Sequence, residues 1–338
     1  MYKVVASFFD GFSGTMFALD KLGIEPDEYH AFEIDPYPTA VSKYNFPNII
    51  RHGDARNWTK LKGKKIDLLV AGFPCQSYSI AGLRKYQEDD RDMSKVLIQA
   101  LKELDVDKVL IENVASMPTE WRDYFTQTFK DIFPDISLYL EDSAKSSPQS
   151  RKRFYWTNII YNDIKDEGIV LNDILEDGGM ADRDKSHCLD ANYFKGGNLE
   201  HYYKKSRRQV VFVQGEKIAI KSKKCRQVGE ADLKGYDIIK RVYSRWGKSP
   251  PLTTMQGGWR MPKVETDELH WRALTPLECE RLQTLPDGWT QHGIFDVNQD
   301  LTKDEVPQKE ISNSQRYKMI GNGFTRAVIS HILEGVYS

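Results

Sequence analysis

Short apolar runs alternate with stretches of helical spacing along the first half of the chain. Tyr2–Phe9, Tyr29–Ile34, Ile66–Ala71 (IDLLVA) and Lys108–Ile111 (KVLI) read as strands. Between them Thr15–Leu22, Tyr37–Tyr44 and Ser94–Leu104 read as helices. Strands alternating with helices predict an α/β fold with a parallel, doubly wound sheet. In such sheets ligands sit beyond the carboxyl ends of the strands. Each run here leads into a polar cluster: the turn Asp10–Gly14, Asp35-Pro36, Gly72–Cys75 and Glu112-Asn113.

Beyond the first half the pattern weakens. Residues 170–268 are turn-rich and poor in helical periodicity, and they read as a second, smaller domain. The expected division is 1–169 for the main domain, 170–268 for the smaller one, and 269–338 for a return to the first. Thr275-Pro-Leu-Glu278 has the form of a capping box with proline at the first helical position, opening a helix through Leu282. Gly323–Leu333 reads as a final amphipathic helix, and Gly293–Glu310 as a polar loop.

Composition narrows the class. Of 338 residues, 40% are hydrophobic and 29% charged, the balance of a soluble globular protein. No apolar run approaches the roughly 20 residues that a membrane-spanning helix needs. The N-terminus runs straight into a Gly-rich turn and reads as a core strand, so a cytoplasmic location is expected. The four cysteines (Cys75, Cys188, Cys225, Cys279) lie far apart, without metal-ligand spacing, so neither a metal nor a disulfide is expected. For Cys188, Cys225 and Cys279 the expectation is a small buried hydrophobe.

The net charge of −1 hides an asymmetry: residues 201–263 hold 16 Lys and Arg against four Asp and Glu. A basic block on an otherwise acidic chain suggests a polyanion partner.

The polar clusters carry candidate chemistry. Glycines in the Phe9–Gly14 turn let backbone N–H groups approach a ligand. The next strand ends in Glu33-Ile-Asp35, where an acid can bond ribose hydroxyls or cap a helix. Gly53-Asp54-Ala55 forms a third loop. Cys75 follows proline in the loop after a buried strand, a position that suits a nucleophile. Glu112, at the end of a neighbouring strand, suits acid catalysis on a ring nitrogen. Arg151 and Arg153, two residues apart, would share one face of a strand.

Together Phe9–Gly14, Gly72–Ser79, Glu112–Val114, Gln149–Arg153, Arg272–Gln283 (RALTPLECERLQ) and Gly321-Asn322 resemble the ordered motif set of the cytosine-C5 DNA methyltransferases of bacteria and phages. Order and spacing match across nearly the whole chain, and the variable stretch between Arg153 and Arg272 stands where that family keeps its target-recognition domain. The resemblance implies a Rossmann-like sheet with a smaller, basic recognition domain. It implies S-adenosylmethionine as cofactor, S-adenosylhomocysteine as product, and methyl transfer to C5 of a flipped cytosine in duplex DNA. Cys75 would be the nucleophile at C6 and Glu112 the partner of N3 and the exocyclic amine. Arg153 would bind O2, and Arg151 would lie near the thiol.

By the same resemblance Phe9, Asp10, Gly11, Ser13, Gly14, Thr15, Glu33, Ile34, Asp54, Ala55, Pro74 and Asn322 would hold the cofactor. DNA would be met by Gln76, Ser77 and Ser79 after the nucleophile, by Lys204, Lys205, Arg207 and Arg208 at phosphates, and by Thr253, Thr254 and Gln256 at bases. A monomer is expected, and a cognate restriction endonuclease is a partner the family suggests. Two departures stand out: Gly323 where a serine is common after Asn322, and Ser94-Lys95-Val96 where Ser-Gly-Leu is usual. The 293–310 stretch is also longer than usual.

Two alternatives stand beside this reading. One is an RNA methyltransferase of the same chemistry, against which the basic region exceeds what a transfer-RNA reader of this family needs. The other is a non-enzymatic DNA-binding regulator on the same fold, which would be free to lose its nucleophile or acid, yet Cys75, Glu112 and Arg153 are all present.

Overall fold

The computed structural model describes residues 3–74, 93–176, 179–193, 202, 205, 207–214, 227–230, 241–243, 263–264, 269–295 and 308–335. Its centre is a seven-stranded sheet in the order β3-β2-β1-β4-β5-β7-β6. The strands are β1 (Val4–Phe8), β2 (Glu28–Phe32), β3 (Ile50–Arg51), β4 (Lys65–Ala71), β5 (Asp105–Val114), β6 (Ser137–Asp142) and β7 (Lys152–Thr157). The first five are parallel, and β7 runs antiparallel to both β5 and β6. This is the expected doubly wound α/β sheet, with one reversed strand, β7, inserted between β5 and the edge strand β6.

The alternation of side chains along each strand feeds two cores. Ala6 and Phe8 of β1 and Leu69 and Ala71 of β4 meet α3 (Ser94–Glu103) and α4 (Thr119–Ile132) on one face. Val5, Leu68 and Val70 meet α1 (Gly14–Lys21) on the other. The central strand β4 must be apolar on both sides, which is why it reads as one unbroken hydrophobic run.

Val328, Ile329, Ile332 and Leu333 of the C-terminal segment pack in the same core as Val5, Ala18 and Leu19. The capping box forms at the start of α5 (Pro276–Leu282): Thr275 Oγ1 accepts from the Glu278 amide at 3.2 Å, and Glu278 Oε2 accepts from the Thr275 amide at 2.8 Å. The end of the chain differs from expectation. Gly323 does not open the last helix; it terminates α6 (Asn313–Asn322), its extended backbone donating to the Met319 and Ile320 carbonyls. The final helix is α7 (Arg326–Glu334), packed beside α1. A glycine between two helical stretches is a stop signal. The 293–310 region is pinned at its base by a short antiparallel pair, His292–Gly293 with Lys309–Glu310.

Within 170–268 the described strands are β8 (Gly179–Met180), β9 (Val210–Gln214), β10 (Gln227–Glu230), β11 (Arg241–Tyr243) and β12 (Lys263–Val264). β9 pairs with β13 (Leu269–Ala273) and β8, while β10, β11 and β12 form a second small sheet. Leu171, Ile174, Leu189 and Val211 share one apolar cluster with Phe12, Val41 and Leu282, so the start of this region is packed onto the main body.

Candidate active site

The turn after β1 is held in an unusual backbone. Phe9, Gly11 and Ser13 all have positive φ, at 58°, 58° and 64°. For the two non-glycine residues this costs about 1–2 kcal/mol each. A buried polar network over-determines the turn. Asp10 accepts from Ser13 Oγ at 2.5 Å and from Tyr29 Oη at 2.7 Å, and Ser13 Oγ also lies 2.6 Å from Ser42 Oγ. Burial pushes the Asp10 carboxyl up, against those hydroxyls and the charge of Arg51.

Glu33 braces this turn from the next strand. Its Oε2 accepts from the Gly11 amide at 2.9 Å, and its Oε1 from the amides of Ile34 and Asp35 at 2.8 and 2.7 Å. Burial raises the Glu33 carboxyl despite these donors. Asp35 and Asp54 take the capping role weighed for such acids. Asp35 accepts from the Tyr37 amide at the start of α2 (Pro36–Asn45), and Asp54 accepts from the Arg56 amide at the 3₁₀ turn Ala55–Leu61. Asp35 also pairs with Lys318 of α6 at 2.6 Å.

One cleft of about 470 Å³ runs along the carboxyl ends of the strands. Phe9, Asp10, Gly11, Gly14, Glu33, Ile34, Asp54, Ala55, Pro74 and Asn322 line it, and so do Glu112, Arg151 and Arg153. Ile34 stands 74% exposed at its rim. Ser13 and Thr15 are not brought to the cleft; both are fully buried beneath the turn, because the left-handed backbone at Ser13 points its hydroxyl at Asp10.

At the other end of the cleft Glu112 and Arg153 form an ion pair, Nε to Oε1, at 2.9 Å. Glu112 lies on β5 itself and not after it, since the antiparallel ladder to β7 extends to Val114 opposite Arg153. That register sets the carboxylate and the guanidinium diagonally on one face. Asn113 is buried and donates to the Phe73 carbonyl at 3.2 Å, tying the end of β5 to the loop after β4.

Arg151 and Arg153 do not act as a pair. Arg151 precedes β7 and is 5% exposed. Its guanidinium donates to the carbonyls of Leu189, Gly321 and Gly323 at 3.1, 3.2 and 2.9 Å. It thereby fastens the Gly321–Gly323 segment over the cleft. Gly321 is required by space there, because a Cβ would fall 2.5 Å from the Asp190 carbonyl.

Cys188 corrects the expectation of a buried hydrophobe. It is exposed, with its sulfur 3.4 Å from Arg151 Nη1 and 3.9 Å from Arg153 Nη2. Desolvation raises its thiol, but the charges of Arg151 and Arg153 outweigh this and hold it below the ordinary range. Cys279 is buried as expected.

Cys75, Gln76, Ser77, Ser79, Lys204, Thr253, Thr254 and Gln256 lie outside the described residues, as does Cys225. Lys205 and Arg207 are exposed and Arg208 is half-buried. Gln315, Lys318, Met319 and Phe324 line the cleft without having been anticipated. The first three stand on α6, a helix that the hydrophobic pattern does not mark. Among the described residues no group of His, Cys, Asp and Glu is arranged for a metal, and no helix is long and apolar enough to cross a membrane.

The model of the C-5 cytosine-specific DNA methylase family matches residues 4–338. The orphan methyltransferase M.SPBetaI of Bacillus phage SPbeta is 25% identical over 430 residues, covering 98% of this chain and 96% of that one. The type II methyltransferase M.HhaI of Haemophilus parahaemolyticus is 24% identical, covering 98% and 93%. Among solved structures, a Spodoptera frugiperda DNMT2 mutant superimposes with a TM-score of 0.59 at 17% identity, over 99% of both chains. A putative DNA modification methyltransferase from an E. coli prophage gives 0.52 at 19% identity, over 98% of both.

Proposed function

The chain belongs to the C-5 cytosine-specific DNA methylase family and is a DNA (cytosine-5-)-methyltransferase; we propose that it takes its methyl group from S-adenosylmethionine and delivers it to a flipped cytosine held covalently by Cys75. The observation that carries this reading is the joining of two compartments in one cleft: the braced Gly-rich turn at one end and the Glu112–Arg153 pair at the other.

The residues of the first compartment fit the cofactor. The cleft volume lies within the range of small-molecule sites, about 300–1,000 Å³. Space above Gly11 is open, with no atom of the described residues within 4 Å of a Cβ position. Ile34 offers an exposed apolar surface for a flat base, and Glu33 retains lone pairs for ribose hydroxyls. S-adenosylmethionine supplies an electrophilic methyl group on a sulfonium centre. The chain supplies the rest.

Cytosine C5 is a poor nucleophile until the ring is attacked elsewhere. The Cys75 thiolate adds to C6, and the displaced electron pair makes C5 carbanion-like. Glu112 hydrogen-bonds N3 and the exocyclic amine, and Arg153 the O2 side, so charge pushed onto the ring meets fixed partners. C5 then forms its bond to the methyl carbon, a base removes the C5 proton, and the thiolate leaves. The base must be drawn from the duplex, at a cost of a few kcal/mol. Residues 170–268 form the target-recognition domain in this reading, with Lys204, Lys205, Arg207 and Arg208 at phosphates and Thr253, Thr254 and Gln256 at bases. The protein works in the cytoplasm, on nucleoid DNA.

Duplex DNA carrying 5-fluorocytosine tests the covalent step, because fluorine cannot leave C5 as a proton does. A denaturant-resistant adduct that requires S-adenosylmethionine is expected. Its absence, with methylation of ordinary DNA intact, overturns the C6 addition.

Glu33→Ala is expected to raise the KM for S-adenosylmethionine about 10-fold or more with a smaller change in kcat, since it removes binding common to ground and transition states. Steady-state kinetics at saturating DNA decide this. A fall in kcat at unchanged KM would place Glu33 at the chemistry and not at the cofactor.

A further inference from the structure

We infer that Phe324 is a specificity-determining residue, a rigid wall at the passage between the two compartments that limits the transferred group to methyl. The inference rests on the cofactor reading above and goes beyond it by naming what the wall excludes.

The geometry centres on Gly72, at the root of the loop after β4. A Cβ built there would fall 2.8 and 2.9 Å from Cε1 and Cζ of Phe324 and 3.5 Å from Glu112 Oε2. The Phe324 ring and the catalytic carboxylate thus approach the same point from two sides. Gly72 is absent from the residues of positive φ, so glycine is needed for space and not for conformation. The ring also reaches the turn after β1, with Cδ2 at 4.0 Å from a Cβ position on Gly14.

The wall is fixed from both ends of its backbone. On one side Arg151 holds the carbonyl of Gly323 at 2.9 Å. On the other, Thr325 Oγ1 donates to Gln283 Oε1 at 2.6 Å and the Arg326 amide to the Gln283 carbonyl at 3.0 Å. A second ring seals the position: a Cβ on Gly323 would lie 2.7 and 2.8 Å from Cε1 and Cζ of Phe12. This accounts for glycine where serine is common, because Phe12 occupies the room a serine side chain needs.

With the cofactor at the Gly-rich turn and the base at Glu112, a carbon passing from the sulfonium to C5 would cross beside this ring. The sulfonium S–C bond breaks as the C5–C bond forms, the thioether leaves neutral, and the C5 proton goes to a base. The displacement at carbon requires a short approach of sulfur to C5; the proton transfer follows it. A larger substituent on sulfur would strike the ring, whose backbone is pinned on both sides, so that only rotation about its side-chain bonds could clear it.

The experiment compares binding of S-adenosylmethionine with its S-allyl analogue by calorimetry, on the natural chain and on Phe324→Ala. Transfer to unmethylated amplified genomic DNA is measured alongside. The natural chain is expected to bind the methyl compound and to disfavour the allyl one. In Phe324→Ala the ratio of the two Kd values should shift toward allyl by about tenfold or more, the scale on which pockets resolve one or two methylenes. Allyl transfer should then become detectable.

An unchanged Kd ratio overturns the inference. If Phe324→Ala does not fold, the wall is tested without any cofactor. Gly72→Ala should lower Tm, and Gly72→Ala with Phe324→Leu should restore it. A Gly72→Ala variant as stable as the natural chain shows that the ring does not stand against Gly72 and is equally fatal. If the natural chain binds neither sulfonium, the cofactor reading fails first, and this inference falls with it.

Discussion

Under the proposed mechanism Cys75→Ala is expected to slow methyl transfer by about 10⁴-fold or more, the scale seen when a covalent nucleophile is removed from a set of groups that act together. The size follows from the chemistry. Without a bond at C6 the pyrimidine keeps its aromatic character, and C5 has no electron pair to offer the methyl carbon. Glu112 and Arg153 remain in place, but they stabilise charge that the missing thiolate never delivers. Binding of DNA and of S-adenosylmethionine should change little, since neither depends on the new bond. Radiolabelled methyl incorporation, measured beside calorimetric binding of the cofactor, separates chemistry from binding. Turnover within tenfold of the natural chain would falsify Cys75 as the nucleophile. Cys188 is the natural control: its sulfur also lies near Arg151 and Arg153, yet Cys188→Ala should retain adduct formation on 5-fluorocytosine DNA.

Arg151→Ala has the largest expected effect on stability. The substitution removes the donor to three carbonyls, those of Leu189, Gly321 and Gly323. Hydrogen bonds from a charged donor contribute about 1.5–3 kcal/mol each, and acceptors left unmet in a buried site cost further. Water entering the space recovers part of this, so a loss of roughly 3–4 kcal/mol is expected. For a domain of this size that lowers Tm by roughly 5–10 °C. Arg151→Lys should recover only part, because an ammonium cannot span carbonyls spaced for a planar guanidinium. Arg153→Ala makes the contrast. Its ion pair with Glu112 lines the cleft with the two side chains only 14% and 13% exposed, so kcat should fall while Tm drops by less than in Arg151→Ala. If thermal denaturation finds Arg151→Ala as stable as the natural chain and only its rate reduced, the guanidinium serves the reacting base and not the fold.

The strands and the polar clusters at their ends were legible because they are local. A buried parallel strand must be apolar on both faces, so β4 announces itself in IDLLVA, and β1 and β2 do so more faintly. The clusters after them fall into one cleft because parallel strands end on one edge. The capping box at Thr275 was equally legible, since both of its hydrogen bonds close within a single turn. Glu33 was singled out as a ribose partner, but its three bonds to backbone amides were not foreseen.

The sequence by itself determined four strands of the sheet, the family's ordered motifs and the residue types proposed to carry the chemistry. Only the tertiary structure decided which of those residues face the cleft and which hold it together. Arg151 and Arg153 look equivalent two positions apart, yet one is folded into a clamp on a segment about 170 residues away and the other pairs with Glu112. Gly323 departs from the family pattern for no reason visible nearby; the reason is the ring of Phe12, brought against it from the first turn of the sheet. Periodicity and capping are written in neighbours along the chain. Space, and the occupancy of a donor by one acceptor among several, depend on what distant segments bring to the same place.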